Sequence, residues 1–251
     1  REISSFTYFH STTLLLFKRA NRYFPIIEPI LKAHDIPDDF KYMAVIESSL
    51  NVNAVSPAKA VGMWQILSGT GKQYGLVITN TIDERRHVAK STEAACKYLK
   101  DAYRKYGDWV NVAASYNAGM GRISSSLTNQ QVDSSFDLWL VEETSRYVFR
   151  MMAIKAIFEN PYKYGFVIRP HDLYKPIACH SDEVSANIPQ LVSYAKNKGI
   201  TYADLKRFNS WLISDNLEVG GKSYQIDIPD KESMMYDLPN SYVHDKRWIA
   251  E

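Results

Sequence analysis

A mainly α domain followed by a small β-α-α-β module is the fold class this sequence predicts. Three observations lead to it. Between about residues 10 and 160, apolar side chains recur at helical spacing and no strand alternation interrupts them. Pro161-Tyr162-Lys163-Tyr164-Gly165 then ends the helical character, and Pro170 and Pro176 punctuate a linker-like passage. Beyond it, two short helical stretches precede Ser223-Tyr224-Gln225-Ile226-Asp227-Ile228, which alternates like a strand and stops at Pro229.

The first well-marked helix lies between Asp35 and Asn51. Pro37 sits near its first turn, Asp38 and Asp39 complement the positive end of the dipole, and a dense apolar run follows from Phe40 to Leu50. Asn51-Val52-Asn53 and Ser56-Pro57 break the pattern. A second helix is expected through Gly62-Met63-Trp64-Gln65-Ile66-Leu67, stopping around Tyr74-Gly75. A third spans about Asp83 to Tyr106, with Ala89, Ala94, Ala95, Tyr98 and Leu99 toward the core. Trp109 to Asn117 opens a fourth, and Glu142 to Phe158 makes a fifth. In the last part, Pro189 to Lys198 and Tyr202 to Phe208 form two short helices, and a strand near Ile177–Cys179 or Glu183–Ser185 completes the small module. The expected division is residues 1–165 for the helical domain, 166–176 for a linker, 177–230 for the module and 231–251 for a C-terminal tail.

Composition narrows the function classes. The chain is 45% hydrophobic and 23% charged, as in a folded globular protein. A net charge of +2, from 30 basic and 28 acidic residues, is too balanced for a nucleic-acid footprint, so no nucleic-acid partner is expected. Seventeen Tyr and five Trp suit either a core or a sugar-binding groove. Cys96 and Cys179 lie far apart, show no metal-ligand spacing, and read as small buried hydrophobes. The six His residues show no ligand spacing either, so no metal and no cofactor are expected. No run reaches the ~20 apolar residues of a membrane span, and no secretory signal is visible. A lipid anchor, if one exists, is expected outside this chain.

Glu47 carries the first chemical signal. It stands in Met43-Ala44-Val45-Ile46-Glu47-Ser48-Ser49-Leu50, with Met43, Ala44 and Leu50 on its helical face. Desolvation on an apolar stripe favours the neutral acid, and the carboxyl end of a helix disfavours a negative charge. Both raise the pKa, as a general acid at neutral pH requires. Taken alone, the segment fits a rim carboxylate that reaches water or pairs with a base better than it fits an acid.

Three further motifs follow in order: Ser56-Pro57-Ala58-Lys59-Ala60-Val61-Gly62-Met63-Trp64-Gln65, then Ala114-Ser115-Tyr116-Asn117-Ala118-Gly119, then Glu142-Glu143-Thr144-Ser145-Arg146-Tyr147-Val148. With Glu47-Ser48 they resemble the lysozyme-like catalytic domain of lytic transglycosylases, closest to the membrane-bound lytic murein transglycosylase D group, over roughly residues 20–165. The resemblance implies Glu47 as the single acid and base. It implies Ser56 at the N-acetyl group beside the scissile bond, Gln65, Tyr116 and Asn117 along the cleft, and Glu143 and Tyr147 on a helix that positions cleft residues. Each also has a plainer reading: Ser56 as a turn residue, Tyr147 as a packed helix residue, Glu143 paired with Arg146 or Arg150, and Trp64 as core. Two positions depart from the pattern, Met63 for Leu and Lys59 for Gly. A glycine at the latter suits close approach or a positive φ.

The implied reaction is non-hydrolytic cleavage of the bond between N-acetylmuramic acid and N-acetylglucosamine, giving 1,6-anhydromuramoyl products. Glycan strands of peptidoglycan are the implied partner, a monomer the expected state, and the bacterial envelope, periplasmic or outer-membrane-associated, the implied location. The alternatives are a catalytically silent peptidoglycan-binding protein on the same scaffold, or a hydrolytic lysozyme or chitinase, which would usually need a second carboxylate. Residues Thr201 to Asn209, with Leu217, Gly220 and Tyr224 to Pro229, resemble a LysM module, a glycan-binding β-α-α-β unit. Its usual opening is matched only loosely by Ile177-Ala178-Cys179-His180.

Overall fold

Eight helices of the first 159 residues wrap one large core, and the helix that anchors it was not marked in the sequence. The computed structural model describes residues 1–235 and 242–249. After α1 (Glu2–Tyr8), helix α2 (His10–Ala33) runs 24 residues through Pro25 and Pro29. Two prolines inside a helix remove backbone donors and read as breaks. The helix persists because Leu16, Phe17, Ala20, Phe24, Ile27 and Leu31, at three- and four-residue spacing, are all buried.

Helices α3 (Lys41–Ser48) and α5 (Val88–Tyr106) pack on α2, α6 (Trp109–Ala118) packs on α5, and α7 (Met120–Gln130) and α8 (Glu142–Glu159) pack on α6, with the short α4 (Ser68–Gln73) between α3 and α5 in sequence. The first marked helix is split. Asp38–Phe40 forms a 3-10 turn and α3 ends at Ser48, because Ser49 and Leu50 both adopt left-handed φ values of 55° and 56°. The second expected helix is corrected. Residues 62–67 form turns tied by bridges Val55–Val61 and Val61–Ile66, and only Ser68–Gln73 is helical. Gly62 at φ +83° and Gln65 at φ +48° are incompatible with an α-helix there. Trp64 is fully buried and its indole donates to Thr92 Oγ1 at 2.8 Å, so it is a core residue.

The small module is the expected β-α-α-β unit. Strands β1 (Cys179–Val184) and β2 (Tyr224–Pro229) pair antiparallel, and α9 (Leu191–Asn197) and α10 (Tyr202–Phe208) lie between them in sequence. A four-residue helix, α11 (Lys231–Met234), follows. Leu191, Ala195, Leu205, Leu217, Ile226 and Ile228 form its core. Asn209 is buried and closes it: Nδ2 donates to Leu205 O and Asp227 O, and Oδ1 accepts from Asp227 N at 2.8 Å. Cys96 is buried, as expected, but Cys179 is exposed at the start of the edge strand β1.

The two units are knitted together. Ile82, from the helical part, belongs to the small module's core, and Asp83 N donates to Trp211 O while Ile213 N donates to Thr81 O. The passage expected as a linker, residues 166–176, places Phe166, Ile168 and Leu173 in the large core. Within the expected tail, Trp248 is buried against Phe17, Phe24 and Phe158, with centroids 5.4–6.0 Å apart. Asn21, buried on α2, holds this return: its side chain donates to Tyr242 O and accepts from His244 N. The rest of the expected tail, 236–241 and 250–251, lies outside the described residues.

Candidate active site

Glu47 occupies the last turn of α3, with Met43, Ala44 and Leu50 buried around it and its own carboxyl half-buried. Tyr147, fully enclosed on α8, donates its hydroxyl to Glu47 Oε1 at 2.6 Å. Burial pushes the Glu47 carboxyl up to about 7. The Tyr147 hydrogen bond and the Arg150 charge pull the other way, and the Glu143 charge adds to the rise. Because Tyr147 already donates to Oε1, the proton of the neutral acid belongs on Oε2. Near neutral pH this group holds both protonation states, which is what one residue serving as acid and then base requires.

Tyr116, on α6, also feels the Glu47 charge. Burial and that charge hold its phenol well above the ordinary range, and its hydroxyl donates to Trp64 O at 2.8 Å. It is packed edge-on against Tyr98, whose hydroxyl donates to Ser115 O. Asn117 follows at the end of α6. Its Nδ2 reaches Glu143 Oε1 at 3.4 Å, and its Oδ1 accepts from Thr144 Oγ1 at 2.9 Å. Glu143 therefore meets Asn117 rather than Arg146, which instead forks onto Glu2 and contacts Glu142.

Two cavities share walls with this cluster. One, of about 340 Å³, is lined by Gln65, Tyr116 and Asn117 together with Tyr98 and Met120. The other, of about 520 Å³, is lined by Glu143, Arg150, Ile46 and residues of α1 such as Phe6. The Asn117–Glu143 hydrogen bond joins the two walls.

Ser56 and Gln65 make their hydrogen bonds within the loop that follows α3. Ser56 Oγ accepts from Ala60 N at 3.0 Å and closes a tight turn, which leaves its hydroxyl proton to donate elsewhere. Gln65 Nε2 donates to Gly62 O at 2.8 Å and braces the same loop from inside. Among the described residues, no hydrogen bond links either side chain to Glu47. Lys59 takes φ +61°, the left-handed conformation for which glycine is suited, so the departure at this position costs strain but keeps the turn.

Sequence reasoning missed the peg under this loop. Arg85 is buried, forms a two-pronged pair with Asp83 (2.8 and 2.9 Å), and donates to the carbonyls of Lys59 and Ile66. Gly62 passes so close that a Cβ would lie 1.9 Å from Arg85 O. Nothing in an Asp-Glu-Arg-Arg run distinguishes a buried staple from a solvated charge cluster. Thr144 and Arg150 were likewise visible only as parts of a helix.

A helical domain carrying the Glu47–Tyr147 cluster, with an appended β-α-α-β unit, is the arrangement this fold defines, and each of the two units has a match among known families. Residues 24–137 match the transglycosylase SLT domain, and residues 180–232 match the LysM-like domain found at the C-terminus of soluble lytic transglycosylases. Over these two stretches the chain is similar to lytic transglycosylases that carry an SLT domain. It is 32% identical over 233 residues to the membrane-bound lytic murein transglycosylase D of Escherichia coli strain K12, covering 90% of this chain and 50% of that one. The same figures hold for the protein of that name from Escherichia coli O6:H1. The chain thus spans about half the length of the curated relatives it matches. The crystal structure of the 70 kDa soluble lytic transglycosylase from Escherichia coli aligns with a TM-score of 0.47 and 23% identity, over 57% of this chain and 24% of that one. Among the described residues no helix is long and apolar enough to cross a membrane.

Proposed function

We propose that the chain is a lytic transglycosylase of the bacterial envelope that cleaves the MurNAc-β-1,4-GlcNAc bond of peptidoglycan and leaves 1,6-anhydromuramoyl ends. The observation that carries this reading is the half-buried Glu47 with a pKa of about 7, hydrogen-bonded to the enclosed Tyr147. Neutral Glu47 protonates the glycosidic oxygen as the bond to the anomeric carbon breaks. The resulting carboxylate, steadied by the Tyr147 hydroxyl, then takes the proton of the muramoyl C6 hydroxyl. That oxygen closes onto the anomeric carbon, so no water is consumed and the proton returns to Glu47.

Most hydrolysing glycosidases use a second carboxylate to activate water or act as nucleophile. The acid whose charge reaches Glu47 is Glu143, and its carboxylate is bound to Asn117. This favours one carboxyl in both roles. Ser56 is assigned to the N-acetyl group through its free hydroxyl proton, and the cavity along Gln65, Tyr116 and Asn117 to the glycan. The LysM-like unit is assigned to holding the same polymer. Digestion of purified peptidoglycan followed by mass spectrometry tests the reading. Anhydro-muramoyl products support it. Reducing-end products would make the protein a hydrolase, and binding without cleavage would make it a silent glycan-binding scaffold.

A further inference from the structure

Away from the Glu47 cluster, the two units enclose a cavity of about 380 Å³. Its apolar walls include Tyr23, Ile26 and Val88 from the helical domain and Trp211 from the module. Arg22, Arg86, His87 and Arg207 line it with a single carboxylate, Asp227, and Arg207 Nη1 also pairs with Asp204 Oδ1 at 3.5 Å. Asp227 is already engaged, its Oδ1 accepting from Ser181 Oγ at 3.1 Å. Arg22 Nε is tied to Lys175 O at 3.1 Å. Arg86 is held through Nη1 on Asn53 Oδ1 at 2.9 Å, yet its buried Nε has no protein partner. It is the one buried side-chain nitrogen or oxygen in that condition among the described residues.

A buried donor without a partner costs about 1–3 kcal/mol, so such a group calls for a water, an ion or a ligand to meet it. Guanidinium forks match carboxylates and phosphates, to which they can donate two parallel hydrogen bonds. The volume lies at the small end of the roughly 300–1,000 Å³ typical of ligand pockets, and apolar walls with a few polar anchors are their usual composition. A neutral sugar would leave the cationic excess uncompensated. A bare inorganic anion would leave the Tyr23 and Ile26 surfaces uncovered.

We propose that this cavity binds the free C-terminal carboxylate of a short peptide, with Arg86 and Arg207 as its anchors and Tyr23 and Ile26 against the peptide's apolar side chains. The peptide stems of peptidoglycan are the natural source, and only that attribution rests on the proposed function.

The test uses the full chain carrying Glu47→Gln and reads binding by calorimetry, without turnover. The probes are trialanine, its C-terminal amide and inorganic phosphate. Trialanine should bind with a Kd below about 10 mM, and the amide at least about tenfold more weakly. Arg86→Gln and Arg207→Gln should each weaken the free acid by about tenfold or more. Arg207 is largely exposed, so its variant remains informative if the Arg86 variant fails to fold. Equal binding of acid and amide, no saturation by trialanine, or phosphate binding as tightly as the peptide would each overturn the proposal. Cleavage of glycan is not read, so failure here leaves the proposed reaction standing, and the reverse also holds.

Discussion

The hydroxyl of Tyr147 donates to Glu47 Oε1 at 2.6 Å across 100 residues of sequence. This contact joins the last turn of α3 to the second turn of α8 and sets which carboxyl oxygen holds the proton. Its electrostatic sign is definite: it lowers the pKa of Glu47, against the larger effect of burial.

Tyr147→Phe should therefore move the alkaline limb of the pH–activity profile to higher pH, because the neutral acid persists longer. The rate at the optimum should fall about tenfold to a hundredfold, since a hydrogen bond to a charged group contributes roughly 1.5–3 kcal/mol. Initial rates on peptidoglycan from pH 5 to 9 check both. An unmoved limb would count against the assigned contact.

Glu143→Gln should move the same limb in the opposite direction. The Glu143 charge raises the Glu47 pKa, so its removal stabilises the Glu47 carboxylate and shifts the limb to lower pH. The comparison with Tyr147→Phe is a matter of sign and does not depend on absolute rates.

Glu47→Gln should abolish cleavage and stabilise the fold at pH 8. In the folded chain the carboxyl titrates near 7, against a reference of 4.5. The folded state therefore holds the proton more tightly, and wild-type stability falls as pH rises through that window. The amide escapes this loss, so its advantage should be near zero at pH 4 and on the order of 1–3 kcal/mol at pH 8. Urea melts at both pH values measure it, and a constant difference would contradict the burial argument.

Gly62→Ala should be among the most disruptive small substitutions in the chain. The residue combines φ +83° with a Cβ position 1.9 Å from Arg85 O. Displacing that carbonyl disturbs the Arg85–Asp83 staple, and breaking a buried pair costs roughly 3–5 kcal/mol. A loss of less than about 1 kcal/mol in denaturant melts would show that the loop relaxes freely.

Much of this architecture was legible in the sequence for identifiable reasons. Apolar spacing marked α5, α6 and α8 because their buried faces are regular, and the alternation ending at Pro229 marked β2. Glu47 stood out because a carboxyl on the apolar face of Met43, Ala44 and Leu50 needs an explanation. Helix α2 stayed hidden because Pro25 and Pro29 read locally as breaks, whereas packing of Phe17 and Phe24 holds the helix together. The segment 62–67 was misread because Met63, Trp64 and Ile66 are apolar through burial in a turn, and their φ values are not written in composition. The return of Trp248 to the aromatic cluster is a tertiary fact about a segment with no local periodicity.

One-residue chemistry requires that Glu47 keep an available proton near neutrality. Carbon-13 labelling of glutamate and titration of the Glu47 carboxyl resonance, assigned by loss in Glu47→Gln, measures that directly. The structure predicts a midpoint of about 7, and a midpoint near the ordinary 4.5 would contradict it.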